Sequence, residues 1–123
     1  VRPVIAGLGN LPHGLAFYDG YLYVAEEDSV SRYLYLGDGD VGPREVIVEN
    51  LTAGPGHPSR TVAFGGSNKM YVSIGSSCNV CEESDPRRAT IMEYSPDGTG
   101  ERVFAQGIRN AVGFVFHPVT GEI

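Results

Sequence analysis

His13-Gly14-Leu15-Ala16-Phe17 returns as Arg60-Thr61-Val62-Ala63-Phe64 and again as Val112-Gly113-Phe114-Val115-Phe116, a repeat of about 50 residues in a 123-residue chain. Behind the first two copies stand a turn pair and a second run: Asp19-Gly20 before Tyr21-Leu22-Tyr23-Val24, and Ser67-Asn68 before Lys69-Met70-Tyr71-Val72. Each pair of runs reads as a β-hairpin. A third run follows in each unit, Ser31–Tyr35 and Thr90–Tyr94, closed by Gly37-Asp38-Gly39 and by Ser95-Pro96-Asp97-Gly98, both strong turn signals. The fourth runs are Arg44–Val48 and Glu101–Ala105, and Val4-Ile5-Ala6-Gly7-Leu8 matches them.

Four short strands per repeat, with no helical periodicity, predict an all-β fold of four-stranded antiparallel blades, a β-propeller. An unrelated meander or sandwich would share the turn spacing without sharing the sequence. Residues 1–8 then form the outermost strand of a preceding blade, and 13–51 and 57–108 form two whole blades. Residues 111–123 supply the first strand and the start of the second strand of a following blade. A blade is stable with both faces against neighbours, so two blades alone leave bare faces and unpaired edges. A homo-oligomer is therefore expected, a dimer ahead of a trimer, because two chains make six blade positions.

With 41% apolar and 20% charged residues, the composition is that of a soluble globular protein. A net charge of −6 removes the long-range attraction on which binding to nucleic acid or anionic lipid relies, and neither is expected as a partner. No run of eighteen apolar residues occurs, and Val1 to Gly14 has no basic stretch followed by an apolar one, so no export signal is visible. The chain ends at Gly121-Glu122-Ile123, where a hairpin turn leads toward another strand, and it reads as a piece of a larger propeller.

Gly54-Pro55-Gly56-His57-Pro58-Ser59-Arg60 is a rigid turn that sets an imidazole just before an innermost strand, at the rim where propeller ligands sit over the axis. Histidine suits general-base work at neutral pH because its unperturbed pKa is about 6.5. Taken alone, a histidine beside Pro and Gly is a surface turn residue. Arg109-Asn110 stands at the corresponding place before the next innermost strand. A guanidinium and an amide there suit a planar, carboxylate-bearing ligand, although such pairs commonly make a surface salt bridge and a turn. His13 occupies the rim of the first blade and reads as structural.

Cys78-Asn79-Val80-Cys81 lies in a polar loop, Ser76 to Arg88, between the second and third runs of the second unit. One C-x-x-C can be a disulfide, half a zinc site or a redox motif. No second ligand pair stands at zinc spacing and no βαβ pattern surrounds it, while Glu82, Glu83 and Asp85 would not lower a thiol pKa. A structural disulfide closing a long loop is the expectation, which fits an oxidising compartment.

Three stretches together carry a family likeness: Gly56-His57-Pro58-Ser59-Arg60, Met70-Tyr71-Val72-Ser73-Ile74-Gly75-Ser76-Ser77 and Gly107-Ile108-Arg109-Asn110-Ala111-Val112-Gly113. In this combination and order the chain resembles sorbosone-dehydrogenase-like proteins, relatives of the soluble glucose dehydrogenases. The resemblance implies a six-bladed propeller holding pyrroloquinoline quinone and calcium over its axis in a periplasmic or secreted protein. It implies His57 as the proton acceptor and Arg109 and Asn110 as quinone contacts. The later blades, which supply the family's calcium-coordinating carbonyls and further basic contacts, have no counterpart here. The expectation is accordingly a truncated relative of a sugar dehydrogenase, inactive alone, with no metal ligand of its own and neither cofactor bound. The alternative is a sugar-binding or oligomerising module without catalysis.

Overall fold

The computed structural model describes residues 1–123 and contains β-strands and no helix. Asp19 and Gly20 both take positive φ, 46° and 78°, the turn geometry that matches the twist of flanking strands. Strand β1 (Gly14–Tyr18) therefore folds back on β2 (Tyr21–Ala25) with Phe17 opposite Leu22. Strand β3 (Val30–Gly37) continues the antiparallel order on the other side of β2. Its far end pairs with a two-residue strand, β4 (Asp40–Val41), and its first half pairs with β5 (Glu45–Val48).

The first sheet thus has five strands where the sequence predicts four. The extra one arises because Gly37, Asp38 and Gly39 all take positive φ and turn the chain straight back on itself. The second sheet has four strands in simple order: β6 (Val62–Phe64), β7 (Met70–Ile74), β8 (Thr90–Tyr94) and β9 (Arg102–Gln106). The two sheets do not close a ring.

Alternation along the strands decides what packs where. Tyr23, Ala25, Val30 and Val48 from the first sheet meet Val62, Met70, Val72, Ile74, Met92 and Tyr94 from the second, with Leu51 from the connection between them. Tyr18 stacks on Phe64 at 4.1 Å, and the Tyr23 hydroxyl donates to Pro96 O at 3.1 Å, so the aromatic side chains also tie the sheets together. The innermost strands run very close: a Cβ on Gly14 would lie 2.5 Å from Arg60 O.

Leu15 and Phe17 point out of the opposite face of the first sheet and stay exposed. Phe17 there meets the exposed ring of Tyr35 edge-on. The second sheet is covered on both sides, because residues 111–116 lie across its far face. There the Thr61 hydroxyl donates to Val112 O, the Ser73 hydroxyl donates to Ala111 O, and Phe116 meets Tyr71 at 4.7 Å.

The runs Val4–Leu8 and Ala111–Phe116, expected as strands of neighbouring blades, join no ladder in this chain. A strand exists only with a partner, and neither run pairs with an edge of either sheet. Near the N-terminus, Arg2 anchors the chain by donating to Asp40 and to Asp38 O, both at 2.8 Å.

Candidate functional site

Beyond the end of β7 the chain runs Gly75-Ser76, and two loops lie against it. The amide of His57 donates to Ser76 O at 3.0 Å, and the amide of Ser76 donates to Arg109 O at 2.8 Å. Gly56 lets the first loop come this close. Its φ is 105°, and a Cβ there would sit 2.3 Å from Ser76 O. Three segments far apart in sequence therefore meet at one point, and two of them are the His57 and Arg109 loops that the repeat aligns.

Gly75 is the floor of that point. A Cβ on it would lie 2.5 Å from His57 Cβ and 3.3 Å from Asn110 Oδ1, so the histidine and the asparagine are packed against a position that admits no side chain. His57 Nε2 and Asn110 Oδ1 are both buried and both lack a hydrogen-bond partner. Nearly all buried polar groups in folded proteins are paired, and each orphan costs about 1–3 kcal/mol. Both residues pack against Gly75, and each carries one buried polar atom without a partner.

The remaining orphan, Arg88 Nε, belongs to the same neighbourhood, since Arg88 Nη1 donates to Gly75 O at 3.4 Å. Arg60 lies behind the His57 loop and is fully buried. Burial, and then the nearby charge of Arg88, lowers the Arg60 pKa to about 10, so Arg60 remains cationic at neutral pH. Sequence reasoning placed Arg60 in a strand and Arg88 at the end of a loop, and assigned neither to the site. A cation inside an apolar repeat unit was the available signal for Arg60, while Arg88 is bound to carbonyls that precede it by 33 and 35 residues.

Arg109 is exposed. Its Nη1 donates to Asn79 Oδ1 at 3.1 Å, and no hydrogen bond joins its side chain to His57 or Asn110. Asn79 sits within the ring closed by the Cys78–Cys81 disulfide, which forms as the sequence predicts. Ser76 Oγ donates to Cys78 O, and the Glu83 carboxylate accepts from both Ser77 N and Ser77 Oγ, which pins the disulfide loop to the end of β7. His13 has a supporting position, with its amide donating to Ala25 O and its Nδ1 3.2 Å from Arg60 O.

For a flat, carbonyl-rich cofactor the groups fit in part: an imidazole and a side-chain amide pack against Gly75, each with one unpaired polar atom, while the exposed Arg109 guanidinium stands apart from them beside Asn79. For calcium the side chains do not fit. The one cluster of three groups of metal-ligating type is Cys78, Cys81 and Glu83, whose sulfurs are bonded to each other, whereas calcium takes six to eight oxygens.

Comparison with known proteins gives a consistent result. A family model described as TrAA12-like matches residues 2–123. The holo form of the pyranose dehydrogenase PQQ domain from Coprinopsis cinerea superposes with a TM-score of 0.76, at 20% identity, over 87% of this chain and 30% of that one, a likeness of fold. The calcium structure of the Trichoderma reesei carbohydrate-active enzyme of family AA12 gives a TM-score of 0.66 at 27% identity, covering 80% of this chain and 26% of that one. An uncharacterized protein of Borreliella burgdorferi is 40% identical over 57 residues, which are 46% of this chain and 15% of that protein. The chain spans less than a third of each of these relatives.

Proposed function

The chain belongs to the TrAA12-like family, and on that premise we propose that its residues form one sector of the propeller of a quinone-dependent sugar dehydrogenase. In this reading residues 13–51 and 57–108 are two blades, and 1–8 and 111–123 are edges of the blades on either side. The observation that carries it is the pair of buried, unpaired polar atoms, His57 Nε2 and Asn110 Oδ1, on two residues that both pack against Gly75.

Bound pyrroloquinoline quinone would supply the redox step, taking hydride from the sugar. His57 Nε2 accepts the proton from the sugar hydroxyl being oxidised, a role worth about 10²–10⁴-fold in rate. Asn110 presents its amide to the cofactor beside it, and Arg109 provides a guanidinium for a quinone carboxylate. Gly75 leaves room for His57 to pack against the end of β7. The oxygen ligands for calcium belong to other sectors of the ring, so the 123 residues alone hold neither cofactor productively and do not turn over. A non-catalytic sugar-binding or self-associating module is the second reading, favoured by the calcium misfit and by exposed Leu15, Phe17 and Leu36.

The test is a chimera in which this chain replaces the matching sector of the Coprinopsis cinerea PQQ domain. It is expected to oxidise aldoses with added quinone and calcium, to lose about 10²-fold or more in kcat with His57→Ala, and to bind quinone more weakly with Arg109→Ala or Asn110→Ala. A chimera that turns over equally well with His57→Ala refutes the assignment. Turnover by the 123 residues alone, lost in His57→Ala, refutes the incompleteness.

A further inference from the structure

The loop that carries His57 has no secondary structure of its own, yet five carbonyls of the segment 52–59 point at two guanidinium groups. Arg60 donates to Thr52 O and His57 O at 2.8 Å, to Ser59 O at 3.2 Å, and to Glu27 O of the first sheet at 3.1 Å. Arg88 donates over longer distances, 3.3 Å to Ala53 O and 3.5 Å to Pro55 O, and its Nη1 also reaches Gly75 O.

Neither guanidinium forms a salt bridge with a carboxylate, although both residues are at least nine-tenths buried. Two buried cations near each other are costly, and apolar side chains of similar volume fill such space at lower cost. Stability alone does not account for them. They do achieve a fixed backbone path: five of the eight carbonyls in the loop are held by planar forks of donors, and the path includes His57 packed on Gly75.

We propose that Arg60 and Arg88 act as a paired clamp that positions His57, holding it against Gly75 beside Asn110. The inference rests on the role given to His57 above. Arg60 fixes the carbonyl of His57 itself and ties it across to the first sheet at Glu27. Arg88 fixes the loop ahead of His57 and the strand end beneath it, so imidazole and floor are referred to one rigid group. Lysine keeps the charge and removes the fork, because an ammonium is a point donor that does not span several carbonyls in a plane.

The experiment uses the full chain without quinone. In isotope-labelled protein, the NOE between His57 Hβ and Gly75 Hα is measured in wild type, Arg60→Lys and Arg88→Lys, with cross-strand NOEs of β6–β9 as the control for folding. The expected result is a strong contact in wild type that is lost in both variants while the sheet signals persist. In the chimera, Arg88→Lys is expected to lower kcat about 10-fold or more with the sugar KM unchanged, as for a displaced catalytic group. Should Arg60→Lys not fold, Arg88→Lys decides, its longer bonds making it the milder change. A wild-type NOE intensity in a folded Lys variant overturns the clamp. Failure of the quinone reading would show separately, as a chimera indifferent to His57.

Discussion

Gly75→Ala is the substitution for which the structure gives the sharpest magnitude. The added methyl would stand 2.5 Å from His57 Cβ and 2.9 Å from His57 O. Carbon atoms rest at about 3.5–4.0 Å, so the His57 loop must withdraw by roughly 1 Å. Overpacking of that size costs about 1–3 kcal/mol. With a urea m-value of about 1–3 kcal/mol/M for a small domain, the unfolding midpoint should fall by roughly 1 M. Gly66→Ala is the internal control: Gly66 has no atom within 4 Å of the added carbon and no positive φ, and its replacement is expected to be neutral or to stabilise by up to about 1 kcal/mol. The assay is urea unfolding of the three proteins followed by circular dichroism, with the His57–Gly75 NOE measured in parallel. In the chimera the same change should cost about 10²-fold in turnover, the usual penalty of a 1 Å misplacement. A Gly75→Ala midpoint equal to that of wild type, with the contact to His57 intact, would refute the view that this position admits no side chain beneath His57.

Acid should destabilise the fold through paired carboxylates. Glu93 accepts from Nε and Nη2 of Arg102, both at 2.7 Å, and this pairing lowers its pKa below the ordinary range, as Arg87, with Thr52, does for Asp85. The contribution is full above the unfolded carboxylate pKa of about 4.3 and is lost as pH falls through the lower folded values, so the urea midpoint should drop below about pH 4 and drop less in Glu93→Gln. A midpoint constant from about pH 6 to pH 3 would count against it. The exposed apolar side chains of the first sheet should make the chain self-associate, dimer before trimer, and sedimentation equilibrium that finds a clean 13.2 kDa species unfolding cooperatively would sink that expectation. Thiol titration of air-purified, denatured protein should find no free cysteine; two per chain would contradict the Cys78–Cys81 bond.

The strands were legible because turn chemistry and alternation agree wherever a hairpin is local. Thr90–Tyr94 is the predicted run to the residue, and β1, β2, β5 and β9 fall within one residue of theirs. Strand β4 was not legible, since two residues carry no periodicity and its existence depends on three successive positive φ values. The edge runs near residues 4–8 and 111–116 have strand-like sequence but no partner, a property of the surroundings that a run of residues does not encode. At the site, the repeat brought His57 and Asn110 to one rim, and the structure joins them at Gly75. It ties Arg109 to Asn79 instead, a contact made across the disulfide loop. The roles of Arg60 and Arg88 were hidden because backbone carbonyls leave no trace in sequence.

Strands β7 and β8 are buried at every residue, whereas β1 alternates with solvent and the far end of β3 is exposed. Protection from amide exchange should follow that gradient, since segments with few covered contacts open at lower free energy than the centre. Gly75-Ser76, against which His57 packs, extends directly from β7. Openings confined to β1 and the far end of β3 would therefore leave the hydrogen bonds at Ser76 that align His57 and Arg109 in place. The alignment of His57 is built on the best-covered strands of the chain.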